Sequence, residues 1–136
     1  MIITLTGSWT PQCDDSIVVE AAGVGYQVFM PTRLQSELPH DGQVAGLAIY
    51  HHLRENAQTL YGFLSMDDRA FFIQLLGVTG LGPRIALAVF SGLAVCTMKS
   101  AIQQGDAATL TQVSGVGKKM AERIIMELKD AVEIGR

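Results

Sequence analysis

Thr79-Gly80-Leu81-Gly82-Pro83-Arg84 returns as Ser114-Gly115-Val116-Gly117-Lys118-Lys119, with both glycines of the pair displaced by 35 residues. Each copy comes after an apolar, helix-patterned stretch and opens directly into a second helix, which is the pattern of a helix-hairpin-helix. Two glycines let the backbone turn through conformations closed to other residues and bring amide N–H groups close to a ligand. The second helix points its unpaired N–H donors the same way, and a phosphate oxygen fits among them. Arg84 comes directly after the first loop, while Lys118, Lys119 and Arg123 stand in the first turns of the helix after the second. Cations at a helix N-terminus oppose its dipole, so an external anion accounts for them. A single Gly-X-Gly is more often a helix-ending turn than a site. Its duplication, with basic residues in matching places, points instead to binding of a phosphate backbone.

Outward from the loops, residues 64–136 read as all helical. Ser65-Met66-Asp67-Asp68 has the form of an N-cap with acidic residues in the first turn, and Phe71, Phe72, Leu75 and Leu76 then mark one apolar face. Further helices are expected at 83–90, 96–104, 106–112 and 118–132, with Pro83 at a first helical position, Gly105 as a C-cap and Asp106 as an N-cap. Residues 1–63 instead alternate with period 2. Ile2 to Gly7, Ser16 to Ala22, Gly25 to Met30, Gln43 to His52 and Ala57 to Phe63 read as five strands, with a tight turn at Ala22-Gly23-Val24-Gly25 and a short helix at 31–39. Five strands in so short a span predict a small OB-fold barrel. The expected fold class is therefore β + α in two domains: an OB barrel, 1–63, then a tandem helix-hairpin-helix domain, 64–136.

Composition bounds the remaining possibilities. At 136 residues and 49% hydrophobic, the chain is expected to be a soluble globular protein. No apolar run approaches the ~20 residues of a membrane span, and Met1-Ile2-Ile3-Thr4-Leu5 lacks the basic start of a signal peptide, so no membrane partner and a cytoplasmic location are expected. Cys13 and Cys96 stand far apart without metal-ligand neighbours and read as reduced structural thiols, not as a zinc site. The net charge of −3 is unevenly spread: residues 1–65 carry −4 and residues 66–136 carry +1, so positive charge collects around the loops. An acidic remainder penalises indiscriminate DNA binding.

Other candidates are weaker. His51 and His52 are adjacent on a strand, point to opposite faces and cannot share a metal ion. Asp67 and Asp68 resemble a nuclease pair only superficially, because helix capping accounts for them and no third carboxylate stands at useful spacing. Neither glycine loop has the longer spacing of a nucleotide-binding P-loop. No cofactor, metal or intrinsic catalysis is expected. The segment Leu53-Arg54-Glu55-Asn56 lies at the tip between the last two strands and, on its chemistry alone, is an ordinary polar turn.

The ordered set of Gly23-Val24-Gly25-Tyr26, Leu38-Pro39, Arg54-Glu55-Asn56-Ala57-Gln58, Leu60-Tyr61-Gly62-Phe63, Gly80-Leu81-Gly82-Pro83, Gly115-Val116-Gly117-Lys118-Lys119 and Ala121-Glu122-Arg123 resembles the RuvA family, the Holliday-junction-binding subunits of the bacterial branch-migration machine. The resemblance covers almost the whole chain. It implies a fourfold-symmetric homotetramer, or two of them as an octamer on DNA, whose basic face holds a four-way junction. Partners implied are RuvB, the hexameric ATPase motor, and the RuvC resolvase. It also gives Arg54, Glu55 and Asn56 a function as a pin at the junction centre, where acidic charge repels phosphates and helps strands separate. Here Glu55 keeps the first acidic position, while Asn56 stands where the family usually has a second acid, so weaker rejection of linear duplex is expected. The family usually continues into a third helical domain that contacts RuvB. This sequence stops at Arg136, and coupling to the motor is expected to suffer.

Two rival classes remain on the residues themselves. One is a single-strand binder that stacks bases on barrel aromatics (Trp9, Tyr26, Phe29, Tyr50, Tyr61, Phe63), which the −4 charge opposes. The other is a structure-specific nuclease or glycosylase with helix-hairpin-helix anchoring, which lacks a carboxylate cluster or nucleophile.

Overall fold

The period-2 half folds into five strands: β1 (Thr4–Cys13), β2 (Ser16–Ala21), β3 (Val24–Phe29), β4 (Val44–Leu53) and β5 (Gln58–Phe63), with the one-turn helix α1 (Thr32–Gln35) between β3 and β4. In this computed structural model, which describes residues 1–131, the strands close into a barrel in the order β1-β2-β3-β5-β4. Every neighbouring pair is antiparallel except β3 and β5, which run parallel at Val28↔Leu60 and Phe29↔Tyr61. Closure leaves no free sheet edge. Ile17, Val19, Val28, Ile49 and Phe63 are fully buried inside it, and Trp9 donates its indole N–H to Pro39 O at 3.0 Å, holding the segment after α1 against the barrel.

The first strand is longer than its sequence pattern predicts, running to Cys13 instead of ending at Gly7. Gly7 and Pro11 read locally as breakers, yet each has a use in the barrel. β1 pairs with β4 through Thr4–Ser8 and with β2 through Ser8–Cys13, with an irregularity between Pro11 and Cys13. Where it passes from one partner to the other, a Cβ on Gly7 would collide with the Glu20 carbonyl oxygen and stand 2.8 Å from its carbonyl carbon. Glycine there permits the close crossing that lets one strand serve both sides of the barrel.

The helical half contains α2 (Met66–Leu76), α3 (Pro83–Gly92), α4 (Val95–Gln104), α5 (Ala107–Leu110) and α6 (Lys118–Leu128). Phe71, Phe72, Phe90, Met98, Ile102 and Ile124 fill its core, with Phe90 lying 5.7 Å from Phe71 and 5.9 Å from Phe72 between ring centroids. The sequence punctuation acts as expected: Pro83 is at the start of α3, Gly105 ends α4 at φ 73°, and the Asp106 carboxylate accepts from Thr109 N. The expected α5 at 106–112 is shorter, and α6 ends at Leu128; residue 132, the expected end of that helix, and residue 136 lie outside the described residues.

The chain divides into two compact units between Arg69 and Ala70, several residues beyond the change of periodicity at 63/64. The first turn of α2 goes with the barrel because the Arg69 guanidinium donates to Ile49 O on β4.

Candidate nucleic-acid interface

The two loops have the same conformation. Gly80 and Gly115 both take left-handed backbone, at φ 84° and 93°, where an L side chain is strained. Leu81 N donates to Val78 O and Val116 N donates to Val113 O, each at 3.1 Å, and these four side chains are all buried. The buried residue between the glycines thus anchors each loop to the helical core. Gly82 and Gly117 come next at φ −91°, ψ 175° and φ −86°, ψ 176°, extended backbone open to any residue. A Cβ at either would meet nothing within 4 Å. The fold therefore does not need glycine at these second positions, whereas a ligand approaching the backbone does.

Each loop leads into an open helix end. α2 and α5 are closed by side chains, Ser65 Oγ accepting from Asp68 N and Asp106 from Thr109 N. α3 and α6 have Gly82 and Gly117 as N-caps, with no side-chain cap, so the first-turn amides, those after Pro83 in α3 and from Lys118 onward in α6, have no intrahelical partner and the positive dipole end stays uncovered. α4 also lacks a side-chain cap, but Ala94 stands there without glycine or neighbouring cation. Arg84 is exposed one residue into α3, and Lys118 and Lys119 are exposed as the first two residues of α6.

Arg123 is arranged differently from its sequence reading. It lies on α6, yet its guanidinium Nη1 donates to Thr79 O of the first loop at 3.1 Å and lies 3.5 Å from where a Gly80 Cβ would be. Its charge stands at the first loop, and the bond ties α6, the helix that follows the second loop, to the first loop.

At the far end of β4 and β5 the ladder runs to Leu53↔Gln58, and Arg54 N donates to Ala57 O at 2.8 Å, closing a tip of four exposed residues, Arg54 to Ala57. Glu55 and Asn56 form the outermost part of that turn. Arg54 is drawn back along β4, its Nε donating to His52 Nε2 at 2.7 Å.

Residues 1–62 match the family model described as RuvA N terminal domain, and residues 72–130 match the SAM-like Helix-hairpin-helix tandem. Among curated relatives, the chain is 43% identical over 129 residues to the Holliday junction branch migration complex subunit RuvA of Burkholderia thailandensis, covering 95% of this chain and 67% of that protein. It is 42% identical to the Solibacter usitatus subunit of the same name and 39% identical to that of Geobacter metallireducens, covering 96% and 97% of this chain and 66% of each relative. The chain belongs to the RuvA family. It spans about two thirds of the length of these relatives.

Within this RuvA-family chain, several features have no counterpart in the sequence reading. The bond from Arg123 joins residues 44 positions apart and has no local signature. The opposed directions expected for His51 and His52 hold, since His51 Nδ1 accepts from Ile2 N while His52 contacts Tyr50 and Arg54. The bond between His52 and Arg54 goes beyond that expectation, and the i, i+2 spacing on one strand face is the signal for it. Cys13 and Cys96 are free, in keeping with reduced thiols, but both are exposed, so the expectation that they are structural fails. The barrel aromatics are largely engaged with the protein: Trp9 and Phe63 are buried, and Phe29, Tyr61 and Tyr50 form a ladder with centroids 6.1 and 6.4 Å apart. Among the described residues no group of three His, Cys, Asp or Glu side chains could hold a metal ion, and no single helix is long and apolar enough to cross a membrane.

Proposed function

We propose that this chain binds four-way (Holliday) junction DNA by its shape, as the non-catalytic recognition subunit of an ATP-driven branch-migration complex in recombination and repair. One observation carries the reading: two loops of the same backbone conformation, 35 residues apart, each open onto an uncapped helix with cations beside it. Such loops bind phosphate oxygens through main-chain N–H groups and read no bases. Gly80, Gly82 and Arg84 form one grip, Gly115, Gly117, Lys118 and Lys119 the other, and Arg123 on α6 adds its charge beside the first loop, which it braces. In this reading residues 64–136 hold the arms of the junction, while the barrel, 1–63, carries the Arg54-Glu55-Asn56 pin to its centre. A homotetramer supplies four grips and four pins, in the cytoplasm, and the RuvB motor and RuvC resolvase are its proposed partners. The RuvA names of the relatives support this assignment.

Titration of a labelled synthetic four-way junction, a linear duplex and a single strand tests it, with the solution mass measured alongside. The junction should bind tightest, with a tetramer or larger assembly on it. Lys118→Ala with Lys119→Ala should weaken binding and lower the slope of log affinity against log salt by about two per subunit engaged. Unchanged affinity and slope, or a preference for single strands, would overturn the proposal.

A further inference from the structure

We propose that His52 is a positioning residue for the pin: it clasps the Arg54 guanidinium back along β4, so that the tip offers Glu55 with its negative charge largely uncompensated. This rests on the junction-binding reading above and deepens it by naming what keeps the pin acidic.

The clasp is specific about protons. Arg54 Nε–H can only donate, so His52 Nε2, 2.7 Å away, must be the unprotonated acceptor. The ring proton then sits on Nδ1, which faces Tyr50 Oη at 3.3 Å. The imidazole is also braced by rings on both strands of the hairpin. Its centroid lies 5.7 Å from that of Tyr50 and 6.3 Å from that of Tyr61, Tyr50 and Tyr61 are cross-strand partners, and Phe29 on β3 continues the ladder. A side chain held by the barrel therefore fixes where a long, exposed arginine puts its charge. Without the clasp, a flexible guanidinium next in sequence to Glu55 would lie near that carboxylate and cancel the field that rejects continuous duplex.

Protonation should undo the clasp. Partial burial, and then the nearby Arg54 cation, hold His52 below its ordinary histidine range, which keeps it a neutral acceptor at neutral pH. When acid adds the second proton, Nε2 loses its lone pair and two cations stand side by side, so Arg54 is released toward Glu55. The titratable and charged groups that contact His52 are Tyr50 on its own strand, Tyr61 on β5 and Arg54 at the start of the tip; its cross-strand partner, Thr59, carries no charge.

The test uses the full chain and measures the ratio of four-way-junction to linear-duplex affinity from about pH 8 downward, through and below the ordinary histidine range, as far as the folded protein survives. In the wild type the ratio should fall about threefold to tenfold on acidification, as four guanidinium charges move toward four carboxylates. His52→Gln, whose amide oxygen replaces Nε2 as acceptor, should keep the wild-type ratio at the higher pH and lose the fall. His52→Phe should have the low ratio throughout. A wild type that prefers junctions, together with His52→Phe that prefers them equally at the higher pH, overturns this inference and leaves the function intact. A wild type with no junction preference overturns both. If His52→Phe does not fold, the His52→Gln profile decides, and a fall as steep as the wild type's refutes the clasp.

Discussion

Replacing Gly117 by alanine separates what the second loop needs to fold from what it needs to bind. At φ −86°, ψ 176° with nothing within 4 Å of the added methyl, alanine meets neither strain nor clash. Two small effects remain and oppose each other. Alanine is a poorer N-cap than glycine, by about 0.5–1 kcal/mol, while the lost freedom of the unfolded chain stabilises by about 0.4–1 kcal/mol. The net change in stability should be within about 0.5 kcal/mol. Gly115→Ala is the matched control two residues earlier. Its surroundings are equally open, but φ is 93°, and a side chain in left-handed backbone costs about 1–2 kcal/mol.

Binding should reverse that order of harm. A methyl at 117 occupies the approach to the amides that open α6, and displacing a phosphate from one charge-assisted bond costs about 1.5–3 kcal/mol, or about 10- to 150-fold in affinity. Lys118 and Lys119 stay, so the salt slope should change by less than about one unit, unlike in the double lysine variant. Thermal melting of the free protein and anisotropy titration of a labelled four-way junction at several salt concentrations measure both quantities. If Gly117→Ala melts and binds like the wild type, no phosphate sits against that backbone. If it melts as low as Gly115→Ala, the loop's conformation is not the one described.

Three other outcomes rest on named contacts. Asn56→Asp adds a carboxylate at each pin tip and should raise the junction-to-duplex affinity ratio about threefold at low salt; an unchanged ratio in gel-shift titrations counts against the pin. Gly7→Ala should destabilise the barrel by about 3 kcal/mol or more, because the added methyl meets the backbone of Glu20, which the β1 and β3 ladders hold on both sides. Gly62→Ala meets only side chains, Val28 Cγ1 at 2.7 Å and Leu47 Cδ1 at 3.3 Å, and should cost about 1–3 kcal/mol; urea titrations giving the opposite order would refute the crossing at Gly7. Finally, the Thr109 hydroxyl, followed by the Thr109 N–H, holds the Asp106 carboxyl below its ordinary range. The unfolded chain then takes up that proton more readily, so the stabilisation is present above the ordinary carboxylate range and disappears as pH falls through the lowered value. Asp106→Ala should lower the melting temperature at neutral pH, with the gap to wild type narrowing in acid; a constant gap would show that ionisation of the cap is immaterial.

Much of this architecture is written locally. The 35-residue return of Gly-X-Gly, the change from period 2 to helical spacing near residue 64, and the punctuation by Ser65, Pro83, Gly105 and Asp106 are properties of neighbouring residues, because turns, caps and alternation depend on backbone within a few positions. Local patterns also mislead in a characteristic way. They end β1 at Gly7, since glycine weakens a strand, and cannot reveal that the missing side chain makes room for Glu20.

By itself, then, the sequence determined the five strands, the helices and the two repeated Gly-X-Gly loops with their neighbouring cations, along with the RuvA resemblance. Only the tertiary structure decided that β3 and β5 run parallel to close the barrel, that Arg123 braces the loop around Thr79, and that His52 restrains Arg54. The physical reason is common to all three. Each depends on which atoms come within about 3 Å of one another once the chain has folded, and hydrogen-bond partners chosen by packing leave no periodicity, cap or composition behind in the chain that forms them.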